Sequence, residues 1–320
     1  MDGQRRMQAV AKLLFTALAW GAMFSVAKEA LYAIDAFHLT TLRYVPASLV
    51  MIAVLAAAEG RRALRADGEA LRLWLYGTFG FAGFSIFGFL GLARTTPEHT
   101  AIIVSLLPLV TAITAWVLRG RRPTLATFIA ISVAFAGVLL VITHGRLHVE
   151  AGDWAADGLV LAGVVCWSIY TTGAATMPRF SALRYTALSM SYGTASIVAA
   201  TLGAMAVGVS PPTWPRIVEL WPEIAYLALI GGVLAVLAWN SGIAVLGPAA
   251  GSLFINLVPI TAFGIAIAHG RHVGATEIAG VLLTISALVG SNLASRAPSG
   301  AMPPDGRGVP ARARLRACNG

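Results

Sequence analysis

Charge is scarce in this sequence. Only 12% of its 320 residues are Asp, Glu, Lys or Arg, while 58% are hydrophobic. Ordinary soluble domains carry about 25% charge, so the chain lacks the polar side chains a water-facing globular fold needs. Cysteine is scarcer still. Cys166 lies inside an apolar run and Cys318 in the C-terminal tail, which supports neither a disulfide framework nor a metal site. Buried acid is missing: all fourteen carboxylates fall in loops, tails or the ends of apolar runs, with Glu29, Glu98, Asp157 and Glu277 nearest to the runs. A proton-coupled carrier usually keeps an ionisable residue within its bundle, and a pump for cationic drugs favours a carboxylate there. The histidines are scattered, with His38, His99 and His269 near run ends. No nucleophile–base pair, metal cluster or phosphate loop stands out, which argues against an enzyme and against any cofactor or metal.

What the sequence has in quantity is long apolar runs. A run of about 20 residues crosses a bilayer core, and ten such runs occur at 9–28, 36–58, 71–93, 98–118, 124–143, 158–177, 184–208, 222–244, 249–269 and 275–295. The connections are 4–14 residues long, too short for a soluble domain. The basic start and the small residues Ser25 and Ala27 raise the question of a cleaved signal, but the first apolar stretch exceeds the usual ~7–15 residues, so a retained first helix is expected. The tail from Ala297 is rich in Pro, Gly and Arg and is expected to be disordered. The expected fold is an all-α integral membrane protein of ten transmembrane helices.

The net charge of +9 needs no nucleic-acid partner. With the N-terminus inside, seventeen Lys and Arg fall in inner segments, including Arg61, Arg62, Arg65, Arg119, Arg122 and Arg184. Five fall outside (Lys28, Arg94, Arg146, Arg216 and Arg271), and Arg43 lies within a span. The positive-inside rule then places both termini in the cytoplasm.

One phrase occurs twice. "GLARTTPEHTAIIVSLLP" begins at Gly91 and "GIAVLGPAAGSLFINLVP" at Gly242, with Gly91/Gly242, Ala93/Ala244, Pro97/Pro248, Leu106/Leu257 and Pro108/Pro259 matched 151 residues apart. Gly80/Gly231 keeps that offset, and Trp20 and Trp167 hold equivalent places in spans one and six. Each half has five spans, an odd number, so the second half enters the membrane upside down. Two inverted five-helix repeats are typical of secondary transporters, whose halves rock about a midplane site. The expected division is an N-terminus 1–8, a first repeat 9–143, an external loop 144–157, a second repeat 158–295 and a basic cytoplasmic tail 296–320.

The phrases "AWGAMFSVAKEAL", "LTTLRYVPASLVM" with Arg43, "TAIIVSLLPLVTAITAWVLRGRRPTLATFIAISVAFAGVLL" and "LGPAAGSLFINLVPITAFGIAIAHGRHVGATEIAGVLL" carry a family resemblance over about residues 10–295. The chain resembles EamA-type transporters of the drug/metabolite transporter superfamily, in particular ten-helix bacterial members that include amino-acid and metabolite exporters. The resemblance implies a central path for a small-molecule substrate, a place in the bacterial inner membrane, and export. It also exposes a departure: the family usually has Gly-Glu where this chain has Gly120-Arg121 and Gly270-Arg271.

Candidate site residues follow from polarity and depth. Pro108 and Pro259 lie inside their spans, where each should remove a helix hydrogen bond. Such breaks belong beside protein or a wet cavity, which makes the two prolines helix-kink or gating candidates; packing alone can also explain a membrane proline. Ser105, Trp239, Asn240, Ser241 and Asn256 lie near the kinks, and an amide there either meets substrate or joins two helices. Trp20, Phe24, Trp167 and Tyr170 lie deeper than belt aromatics and are expected to line a cavity. Arg43 either pairs with Glu29, snorkels outward or receives a substrate carboxylate. Gly77, Gly80, Phe84, Gly88 and Gly91 share one face of span three, where small residues permit close packing. Spans five and ten are expected at the periphery. The function these features suggest is a secondary transporter, not an enzyme, that exports small metabolites, amino acids first, by alternating access. A multidrug or other metabolite exporter of the same fold is the near alternative, and a membrane enzyme or channel the remote one.

Overall fold

A computed structural model describes residues 2–95, 100, 103–120, 122, 124–143, 154–268 and 274–294. The long helices are α1 (Asp2–Leu31), α2 (Ala36–Glu59), α3 (Ala70–Arg94), α4 (Leu107–Arg119), α5 (Leu125–Thr143), α6 (Trp154–Ala174), α7 (Ala182–Ala206), α8 (Trp221–Leu246), α9 (Leu257–Ala268) and α10 (Ala275–Ala294). No strand occurs among the described residues. Of these helices, α1, α2, α3, α6 and α8 are long and apolar enough to cross a bilayer unaided, whereas 107–119, 128–137 and 278–287 are shorter apolar segments. The tail 297–320, with Cys318, lies outside the described residues, as do Pro97 and Arg271.

Local chemistry sets the helix ends. The Asp35 carboxylate accepts the Phe37 and His38 amides and starts α2, and Ser181 accepts the Arg184 amide to start α7; both satisfy first-turn donors that no helix carbonyl can reach. Gly120 ends α4 at φ +66°, a left-handed conformation that a residue with a Cβ adopts at a cost.

Two departures from simple helices recur. α3 widens to π-helix at Thr78–Gly83 and α8 at Tyr226–Leu234, and Gly80 and Gly231 sit in these segments. The chain before α4 turns at Ser105 and Leu106, and α9 is preceded by a helical turn, Pro248–Ser252, and a 3-10 segment, Leu253–Asn256. Pro108 and Pro259 therefore lie in the first turns of α4 and α9, where an amide has no intrahelical acceptor. The irregular backbone lies within the four residues before each proline, where the missing proline N–H leaves the Val104 and Ile255 carbonyls without a helix donor.

The halves are packed by exchange. α1 lies on α8 and α9, α6 lies on α3 and α4, α2 lies on α7, and α5 lies on α10. The same contact recurs in both halves. A Cβ on Gly91 would fall 2.7 Å from the Ala156 carbonyl and against Val160. A Cβ on Gly242 would fall 2.6 Å from Leu13, the residue equivalent to Val160. Gly77 in α3 presses on the Ser189 and Gly193 backbone of α7, whereas Gly88 has nothing within 4 Å. The glycine face of α3 is thus a packing surface at Gly77, Gly80 and Gly91 through the missing Cβ, and at Gly88 through its backbone, which a Cβ on Gly163 of α6 would approach at 3.3 Å. α5 and α10 meet chiefly each other, with Gly137 against the buried Thr284.

Candidate functional site

The π segments bring α1, α3, α6 and α8 close enough for rings to meet. Gly80 of α3 faces the Tyr170 ring of α6, where a Cβ would lie 2.6 Å from Cδ2. Gly231 of α8 faces Met23 of α1, the repeat equivalent of Tyr170, at 3.0 Å from Sδ. Around these contacts the Trp20 ring lies 5.2 Å from Trp167 and 5.4 Å from Trp239, and Trp167 lies 5.1 Å from both Phe84 and Tyr170. Phe81 lies 4.9 Å from Tyr170, which stacks on Tyr185 at 5.2 Å. Edge-on and tilted arrangements of this kind each contribute about 0.5–1.5 kcal/mol beyond burial.

Cavities lie on this aromatic layer. A chamber of about 20 Å³ is walled by residues that repeat across the halves: Trp20 with Trp167, Val104 with Ile255 and Leu107 with Val258, together with Met23, Phe24 and Phe84. An upper chamber of about 10 Å³ adjoins it at Met23, Phe24, Phe84 and Val104, and adds Ser85, Phe89 and Thr100. Neither has room for more than about one water. A vestibule of about 560 Å³ lies at the end of the bundle formed by Arg119, the α6–α7 turn and the end of α8. Its rim carries the exposed Ala175, Pro178, Ser181, Ala244 and Val245, and its floor the buried Met177, Tyr185, Asn240 and Ile243.

The vestibule floor is polar. Asn240 Nδ2 donates to Tyr170 Oη at 2.5 Å and Thr186 Oγ1 at 2.6 Å, which orients the amide and leaves its buried Oδ1 without a partner. Tyr185 donates to the Tyr170 carbonyl at 2.7 Å, and Trp239 Nε1 donates to Thr171 at 3.3 Å.

At the opposite end a lysine ties α1 to α3. Lys28 Nζ, near the end of α1, donates to the carbonyls of Leu92 at 2.9 Å, Ala93 at 3.3 Å and Thr95 at 3.0 Å. The first two are among the last carbonyls of α3 and the third lies just past its end, where a cation also meets the negative end of the helix dipole. The repeat equivalents of this latch, Ala175 for Lys28 and Ile243, Ala244 and Leu246 for the three carbonyl residues, all line the vestibule. One end thus has a lysine bond where the other has an alanine and a cavity. The indoles differ in the same way. Trp20 Nε1 donates to the Gly231 carbonyl of the α8 π segment at 3.0 Å, whereas Trp167 Nε1 is buried without a partner.

The sequence candidates distribute as follows. Trp20, Phe24 and Trp167 wall the small chamber, and Asn240 floors the vestibule. Tyr170 and Trp239 are buried in the layer between these cavities. Ser105, Pro108 and Asn256 are buried at the breaks before α4 and α9 and line none of the cavities just described, with both Asn256 amide atoms unpartnered. Pro259 is likewise buried in the first turn of α9. Arg43 neither snorkels nor pairs with Glu29: it is 1% exposed, stacks on Tyr44 at 4.7 Å and approaches Phe89 at 5.9 Å, while Glu29 is exposed. Sequence reasoning missed Met23, Thr186, Tyr185 and the Lys28 latch. The one available signal was the offset between spans one and six, which sets Met23 opposite Tyr170 and Lys28 opposite Ala175.

Comparison with known proteins bears on these features. The profile of the EamA-like transporter family matches residues 7–143 and again 154–293. An uncharacterized transporter of Bacillus subtilis, YrdR, is 32% identical over 88% of this chain and 90% of its own. A second from Bacillus subtilis, YyaM, is 31% identical over 87% of this chain and 91% of its own. A protein of Streptantibioticus cattleyicolor named "probable terminal-alkyne amino-acid exporter" is 26% identical over 86% of this chain and 93% of its own. A solved crystal structure superposes with a TM-score of 0.72 over 92% of this chain and 100% of that chain at 19% identity, a likeness of fold.

Proposed function

The chain belongs to the EamA-like transporter family, and on that premise we propose that it exports small metabolites, amino acids first, by alternating access. It is a multi-pass membrane transporter with a small-molecule substrate. In our reading its ten spans form two inverted five-helix repeats, with both termini in the cytoplasm of a bacterium and the vestibule open to that side. The observation that carries this reading is the unequal state of two equivalent ends. Lys28 ties α1 to α3 at one, while Ala175 and the end of α8 line a cavity at the other. In an inverted repeat, exchanging the conformations of the halves exchanges open and closed ends.

The substrate would enter the vestibule, meet Asn240, and reach the Trp20–Trp167 chamber when the aromatic layer parts. An apolar chamber beside an amide floor suits a small molecule with one polar and one apolar end. The name of the Streptantibioticus relative points to amino acids as the class to try first. The test is uptake of labelled amino acids into proteoliposomes, with and without a pH gradient. Saturable uptake with counterflow is expected of a carrier. Uptake that does not saturate refutes alternating access, and no uptake of any amino acid by folded protein refutes the substrate class.

A further inference from the structure

The least accommodated group in the described bundle is Arg43. Its guanidinium is 1% exposed, and Nε and Nη1 have no hydrogen-bond partner. A buried cation within a span is costly unless it is paired. Stacking on Tyr44 and the approach of Phe89 offset part of that cost but satisfy no N–H. No ion pair among the described residues includes Arg43, and the carboxylates of this chain fall in loops, tails or the ends of spans.

The surroundings have the form of an anion site. A Cβ on Gly231 would lie 3.7 Å from Arg43 Nη2 and 3.0 Å from Met23 Sδ, so the guanidinium and the thioether meet at one point on the α8 π segment. Met23 walls both small chambers, and Phe89, under the guanidinium, walls the upper one. That chamber also holds Thr100 Oγ1, a fully buried hydroxyl without a partner. Arg43 is thus one flexible methionine away from the small cavities, and unpartnered donors border the space.

We propose that Arg43 binds a small monovalent anion, the carboxylate of the transported molecule. This rests on the transporter reading above and sharpens its substrate class: an organic acid with an apolar body for the tryptophan chamber. The planar guanidinium offers two parallel N–H donors to a carboxylate, which an amide of the same shape does not match in charge. An inorganic anion such as chloride shares the chemistry and is the other source to distinguish.

The test uses the full chain in detergent, with thermal unfolding followed by tryptophan fluorescence. The probes are benzoate against its neutral isostere benzamide, and chloride against sulfate at constant ionic strength. Benzoate at saturation is expected to raise the midpoint by about 5 °C, benzamide by far less. The benzoate shift should vanish in Arg43→Met and persist in part in Arg43→Lys, which also covers the case that the methionine variant does not fold. Equal shifts from benzoate and benzamide, a benzoate shift that survives Arg43→Met, or no shift from any anion would overturn the site. A shift from chloride and none from benzoate would overturn the substrate carboxylate and assign a resident counter-ion. Failure of amino-acid uptake with an Arg43-dependent benzoate shift intact would remove the amino-acid reading and leave the anion site standing.

Discussion

Replacing Lys28 with methionine should favour opening of the end that it ties. The side chain keeps its length and apolar stem but loses three bonds to the Leu92, Ala93 and Thr95 carbonyls. Hydrogen bonds to a charged group contribute about 1.5–3 kcal/mol. Here the bond to Ala93 is solvent-exposed and long, and ordering a lysine costs about 2 kcal/mol of rotamer entropy. A net loss of about 2 kcal/mol for the latch is reasonable, roughly a 30-fold shift in the balance between the two conformations. The assay is thiol labelling of oriented vesicles in a cysteine-free background (Cys166→Ala, Cys318→Ser), with single cysteines at Ala244 in the vestibule rim or Thr100 in the upper chamber. Lys28→Met should slow labelling at position 244 and speed it at position 100, by up to that factor in their ratio. The converse change, Ala175→Lys, places a cation beside the end of α8 and should protect position 244. An unchanged ratio in Lys28→Met, with folding verified, would refute the latch and with it the argument that the two ends are in exchangeable states.

Further outcomes follow from other contacts. Trp20→Phe removes the indole bond to the Gly231 carbonyl and should destabilise this conformation by about 1 kcal/mol, whereas Trp167→Phe, whose indole nitrogen has no partner, should shift the unfolding midpoint less. Gly77→Val drives a side chain into the Ser189 and Gly193 backbone and should abolish a monodisperse peak on size exclusion, while Gly88→Ala, in open space, should elute as the parent does. Asn240→Leu leaves the Tyr170 and Thr186 hydroxyls without their shared donor and presents an apolar floor to the vestibule. Uptake by that variant should fall at least ~10-fold while the protein stays folded.

Much of the fold is legible in residue spacing. Gly80/Gly231, Gly91/Gly242 and Trp20/Trp167 were paired by offset alone, and they sit in equivalent contacts because equivalent neighbours press on them. The tryptophans meet at 5.2 Å, a distance that no local pattern could supply. The π segments were invisible because one extra residue per turn leaves no mark in composition; it is set by what packs outside, here Tyr170 and Met23. Pro108 and Pro259 were legible as interruptions because a proline withholds a hydrogen bond from the carbonyl four residues earlier, but the residue pattern does not say whether the helix bends there or ends and restarts. The sequence left Arg43 open between pairing with Glu29, snorkelling and a substrate carboxylate, because no local pattern shows that its side chain turns inward onto Tyr44. Lys28 read as an ordinary interfacial cation, because the carbonyls it meets lie 64 to 67 residues further along the chain.

The exchange of partners between the halves has a consequence in time. The Trp20 indole of α1 donates to the Gly231 carbonyl of α8, 211 residues later in the chain. At a synthesis rate of about 5–20 residues per second, α1 waits roughly 10–40 s before its acceptor exists. During that interval the Trp20 indole N–H has only lipid or the insertion machinery for company, whereas Thr16 can turn to the Lys12 carbonyl of its own helix and Arg43 to the Tyr44 ring beside it. The completed transporter hides that N–H so well that its hardest moment is the one before the second half is made.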